Sequence, residues 1–244
     1  IISGLTAYHA TASDSGKLRQ LVDEAKLLYS KAIPEACYKK IKTAKAAALK
    51  HEELNFLIEL IGLERNLVND GFLKFSLDTL YREEAWAVEA LHEKQALFLL
   101  SHALHALWKT KLIRDKNELK AIEQVAKKTM RFNPDKLHTT SAKVTYYGIM
   151  LRYTRIIGDN KQQLYFSRRS LDLLESEPER IEEKIAGYFS RLINVIIGYG
   201  ENREFDKMQE QLDKLKTLPL LYQRANTPQM RLDIRSSYFG LQLE

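Results

Sequence analysis

The 244-residue chain has a single cysteine, five prolines and ten glycines. One cysteine excludes an internal disulfide framework, and so little Gly and Pro excludes collagen-like and low-complexity disordered chains. Long apolar runs are scarce as well. The richest stretch, Gln95 to Trp108, is interrupted by Ser101, His102 and His105, so it falls short of the ~18 residues that a membrane helix requires. No segment alternates with the period of a strand. What is present is 45% hydrophobic and 29% charged residues, the composition expected of a soluble chain with a real core. Ile1-Ile2-Ser3 has neither an initiating Met nor a basic leader, and is expected to be a fragment of a longer protein. Cys37 within an apolar stripe points to a reducing, cytoplasmic setting.

Stripes of chiefly apolar residues recur at steps of three and four: Leu18, Leu21, Ala25, Leu28 and Ala32; Cys37, Ile41, Ala44 and Ala48; Leu54, Ile58, Ile61, Arg65 and Val68. That is the helical period, and the expected fold class is all-α. No Gly or Pro occurs from Leu77 to Thr110, which predicts one long helix within 76–111. Helices follow near 116–132, 140–157, 160–176, 179–198, 202–217 and 228–244. Turns are expected at Gly158-Asp-Asn160 and Gly198-Tyr-Gly200, with Pro134, Pro178 and Pro219 closing the second helix of each pair. Gly148 and Gly187, inside helices, are expected at close helix crossings. Phe205, Met208, Leu212 and Leu215 read as a core stripe.

The chain also aligns with itself. A shift of 41 lays Val144 on Ile185, Tyr147 on Tyr188, Leu151 on Leu192, Leu164 on Phe205, Leu171 on Leu212 and Pro178 on Pro219, and a looser shift of 44 links Ile113 to Ile157 and Pro134 to Pro178. One amphipathic hairpin cannot cover its own apolar stripe, whereas stacked hairpins share a continuous interior. The expected organisation is a single helical-repeat domain over 1–244. Hairpins occupy 15–75, a long helix 76–111, and repeats of 41–44 residues 112–244.

Paired amphipathic helices, Tyr147 and Tyr188 in first helices, Gly158-Asp159 and Gly198-Tyr-Gly200 between helices, and Leu-x-x-x-Pro at Leu174–Pro178 and Leu215–Pro219 resemble tetratricopeptide repeats. The likeness covers 113–244 well and 15–70 more weakly. It implies a right-handed α-α superhelix whose first helices line a concave face. The step of 41–44 departs from the family's ~34, and bulky Tyr165, Phe166 and Phe205 stand where a small residue belongs. The family's carboxylate clamp has no residue-by-residue counterpart here.

No catalytic constellation emerges. Glu89-x-x-His92 lacks the second copy that a di-iron bundle needs, and His102 with His105 lacks a third zinc ligand. Gly-x-Ser-x-Gly and phosphate-loop motifs are missing. The expectation is therefore a non-catalytic scaffold without cofactor or metal, which holds a protein or peptide partner, acidic in character, on the concave face. Trp108, Lys111, Arg152, Arg155, Phe189 and Ile196 are the wall positions beside the core stripe. Arg supplies planar bidentate donors and Trp a broad flat contact. The alternative is nucleic-acid association through Lys109–Lys143, where ten basic residues face four acidic ones and hold the whole +6 excess.

Overall fold

The computed structural model describes residues 14–74, 76–108 and 116–242. Every regular element among them is helical, and consecutive helices pack in series. The chain divides into two units, Ile1–Gln95 and Ala96–Glu244.

In the first unit, α1 (Asp14–Ser30), α2 (Pro34–Lys50) and α3 (Leu54–Asn69) are followed by α4 (Leu77–Trp108), the long helix, whose first part belongs here. Pro34 starts α2 at a position where its missing N–H goes unused. The predicted stripe of α2, Cys37, Ile41, Ala44 and Ala48, is completely buried. Its alanines keep the helix thin, and α2 packs on both α1 and α3. α3 has neighbours in α1 and α2, and its Ile61 and Leu63 share a core with Leu80, Ala87 and Ala90 of α4. It therefore buries Leu57, Leu60 and Leu67 in addition to Leu54 and Ile61, while Ile58, Arg65 and Val68 of the expected stripe lie at its edge. Lys45 Nζ sits between Glu64 Oε2 at 2.7 Å and Glu83 Oε2 at 2.6 Å, joining α2, α3 and α4. Burial alone would push its pKa down, but the two carboxylates outweigh that and hold it above the ordinary lysine value.

The second unit contains the end of α4, then α5 (Lys116–Thr129), α6 (Thr140–Ile157), α7 (Asn160–Glu175), the single turn α8 (Pro178–Ile181), α9 (Ile185–Glu201), α10 (Phe205–Leu221), a 3-10 turn (Gln223–Asn226) and α11 (Pro228–Gln242). α6 begins at Thr139, whose side chain accepts from Ala142 N, and ends on Gly158 at φ 73°. Asp159 then caps α7 by accepting from Gln162 N. Side-chain cap and left-handed glycine together satisfy groups that helix ends leave open, and here the sequence-predicted turn is found. Leu97, Leu104, Ile122, Tyr147 and Met150 form one core, and Leu171, Leu174, Tyr188, Leu192, Leu212 and Leu215 a second. Full burial of each such leucine is worth about 1.5–3 kcal/mol.

Five expectations change. Gly198 and Gly200 do not form a turn but lie inside α9, and the chain turns at Arg203, φ 60°. A Cβ on Gly198 would stand 3.3 Å from Leu164 Cα and 3.1 Å from its Cδ1, so this glycine serves a helix crossing. Gly148, by contrast, faces nothing within 4 Å. Pro178 starts α8 and Pro219 lies in the last turn of α10. Phe205 opens α10 and is 63% exposed, whereas Leu212, Leu215 and Leu218 are buried. Helix starts recur at 45 residues, from 140 to 185 and from 160 to 205. That is one helical turn beyond the 41-residue self-alignment, and residues four apart share a face, so an apolar stripe matches itself well at either step.

The two glycines should respond oppositely to substitution. Gly148→Ala should raise stability by roughly 0.5–1 kcal/mol, the usual gain for Ala in a helix interior. Gly198→Ala should lower it, because the backbone of Leu164 cannot yield. Urea unfolding of each variant checks both signs.

Candidate functional site

Cys37 is fully buried and its thiol donates to Ala25 O at 3.3 Å. Burial pushes its pKa up, which keeps the sulfur protonated and unreactive. His102 and His105 are exposed on α4, and no three His, Cys, Asp or Glu side chains among the described residues converge to hold a metal ion. Glu175 Oε1 accepts from Tyr188 Oη at 2.8 Å and from Lys214 Nζ at 2.6 Å, a polar tie among α7, α9 and α10. Burial first, and then the bond to Glu175, raise the Tyr188 pKa, so the phenol remains a donor.

Polar contacts across α7 and α9 define how these helices run. Gln163 Nε2 donates to Glu201 Oε2 at 2.5 Å, Arg191 Nε to Ser170 Oγ at 3.1 Å, and Tyr188 to Glu175. The start of α7 thus meets the end of α9, and the two are antiparallel. Gln163, Ser167 and Ser170 are buried polar residues on α7. Small hydroxyls that bond locally, as Ser167 Oγ does to Gln163 O at 2.8 Å, let two helices approach without leaving polar groups unpaired.

α6 and α9 form the surface of interest. α6 contains Lys143, Arg152 and Arg155 and no acidic residue; α9 contains Arg191 and one carboxylate, Glu201, which is already engaged by Gln163. Arg155 Nη2 donates to Asn194 Oδ1 at 3.2 Å, which links α6 to α9. Arg152 is exposed. Arg191 is partly buried, and Nη1 donates to Gly187 O at 2.8 Å. A Cβ on Gly187 would lie 3.1 Å from that Nη1, so the glycine makes room for the guanidinium. Desolvation lowers the Arg191 pKa and no carboxylate opposes it. The result is a strip of fixed positive charge whose partners are a neutral amide, a hydroxyl and a carbonyl, which leaves its attraction for an anion uncancelled.

Of the predicted wall residues, Arg152 and Arg155 are both exposed. Phe189 is half-buried and packs on the core of α9 and α10, and Ile196 is wholly buried. Ile196 is therefore core rather than wall: α9 packs on α7, α10 and α11, which leaves little of it open. Lys111 and the side chain of Trp108 lie outside the described residues. Arg191 and Asn194 complete the strip and were missed by sequence reasoning. The signal was there in Gly187-x-x-x-Arg191, a side-chain-free position one turn before an arginine. Compared with family models, with curated proteins and with solved structures, the chain matches none.

The two partly buried cations should behave differently when removed. Arg191→Met should cost less than about 1 kcal/mol, since it deletes a desolvated charge that has no counter-ion. Lys45→Met should cost about 3 kcal/mol, because it strands buried Glu64. The Lys45 contribution is complete below the ordinary lysine pKa and is lost only as pH rises through its elevated value. The difference between the variants should therefore be constant across neutral pH in denaturant titrations.

Proposed function

We propose that this chain is a non-catalytic recognition module, a right-handed helical-repeat array similar to tetratricopeptide repeats. It holds an extended acidic segment of a protein partner against its first helices. The cationic strip of α6 and α9 carries this reading: Arg152, Arg155 and Arg191 lie on two linked helices whose single carboxylate is bound elsewhere. Guanidinium groups grip carboxylates with two parallel bonds, and each charge-assisted bond is about twice as strong as a neutral one. Asn194, which holds Arg155 through its side-chain oxygen, presets one of these forks. Serial packing of neighbouring helices supports a repeat array, because each new pair then extends the same wall. The single buried thiol, Cys37, suits a reducing, cytoplasmic setting. No described helix is long and apolar enough to cross a membrane.

The test is a fluorescein-labelled peptide rich in Glu and Asp, titrated with the protein and followed by anisotropy. Arg152→Ala with Arg155→Ala should weaken binding at least roughly tenfold, the equivalent of about 1.4 kcal/mol. Helicity and melting temperature should not change, because both side chains are exposed. Equal affinity in the double variant, or equal binding of a Lys-rich control peptide, would refute the reading.

A further inference from the structure

The strip on α6 and α9 leaves most of the basic side chains of the second unit unused. On α5 and the turn after it, Lys116, Lys120, Lys127, Lys128, Arg131 and Lys136 are all exposed. The outward face of α7 adds Lys161, Arg168 and Arg169. Over the same described stretches the exposed carboxylates are Asp135 and Asp172. The two helices share a core, for Phe166 and Leu173 of α7 pack against the cluster that holds Ile122 and Val125 of α5. Arg169 Nη2 also reaches Asp135 Oδ1 at 3.3 Å in the turn after α5.

An aromatic ring stands within the cations. Tyr165 is 51% exposed, and Lys161, Arg168 and Arg169 precede or follow it by one helical turn. Together with Leu164 and Asp172 these four line a groove of about 450 Å³. Tyr165 meets Phe166 edge to face, with ring centroids 5.1 Å apart, and Phe166 is itself packed into the core. The tyrosine is thus steadied by a ring that is anchored in the core, while half of its own surface stays open to solvent. At the near end of α10, Lys207 is paired with Glu204 at 2.6 Å, and exposed Phe205 stands in the same turn.

From this arrangement we infer that the α5–α7 surface binds single-stranded nucleic acid: the cations follow the phosphates and a base stacks on Tyr165. Phosphate attraction needs only accessible positive charge, and base stacking needs an open aromatic face beside it. A membrane surface would call for an apolar stripe instead. The outward face of α7 has none, since Leu164, Leu171 and Leu174 are all buried. The inference is independent of the peptide-binding reading, because it uses neither α6 nor α9.

The probe is a fluorescein-labelled oligothymidylate of about 20 nucleotides, longer than the roughly 4–16 that a single groove covers. Its affinity for the whole chain should fall about 20-fold between about 50 and about 200 mM salt, the change expected when some three phosphates are neutralised. Lys161→Glu with Arg168→Glu, neither of which has an ion-pair partner among the described residues, should weaken binding more than tenfold. It should also flatten the logarithmic salt slope by about 1.4. Tyr165→Ala should weaken binding roughly tenfold and leave the slope unchanged. Arg152→Ala with Arg155→Ala should leave it intact, so failure here and failure of the peptide reading are distinguishable. The inference is overturned by no binding at the lower salt, by unchanged affinity in either α7 variant, or by capture on phosphatidylserine vesicles in preference to the oligonucleotide.

Discussion

An amphipathic helix has an apolar stripe too wide to leave in water, and in this chain each stripe is covered chiefly by the helices next to it in sequence. Within the second unit, α6 packs on α7, α7 on α9, α9 on α10 and α11, and α10 on α11. Leu192 and Ile196 of α9 are wholly buried because neighbours press on that helix from several sides. The positions left open on α6 and α7 become surface by default, and those positions are rich in Arg and Lys. Local covering therefore determines both what is stable and what is available to a partner.

Polar groups inside the packing follow two patterns. Lys45 is balanced by two carboxylates and ties three helices together, the arrangement of a charge buried for structural ends. Arg191 has only a hydroxyl and a carbonyl as partners, so no carboxylate cancels its charge. A cation that is partly buried thus has a different consequence, determined by whether a carboxylate stands within reach. Glu201, the one carboxylate on α9, accepts instead from Gln163 on α7.

Much of this was legible in the sequence. The period of three and four gave the helices, and the α2 stripe of Cys37, Ile41, Ala44 and Ala48 is buried to the last residue. Gly158 was readable as a turn because its neighbour Asp159 caps the next helix. Other positions were not readable, for a common reason. Whether a glycine serves a turn or a crossing depends on what lies opposite, and only the fold places Leu164 against Gly198. Likewise Phe205 continues a stripe in sequence but stands at the first residue of α10, where no neighbour covers it. Repeat length was ambiguous by one turn because helical periodicity is itself nearly four residues. Arg152 and Arg155 could be nominated from their place beside the stripe. The role of Arg191 required knowing that Gly187 leaves it room.

Neighbour-by-neighbour covering can be probed directly by native-state hydrogen exchange on Leu215→Ala, a buried residue of α10 whose truncation should cost about 2–5 kcal/mol. Serial stacking predicts that amide protection falls in α9, α10 and α11 while α5 and α6 retain theirs. An equal drop from α5 through α11 would show one indivisible core and contradict it.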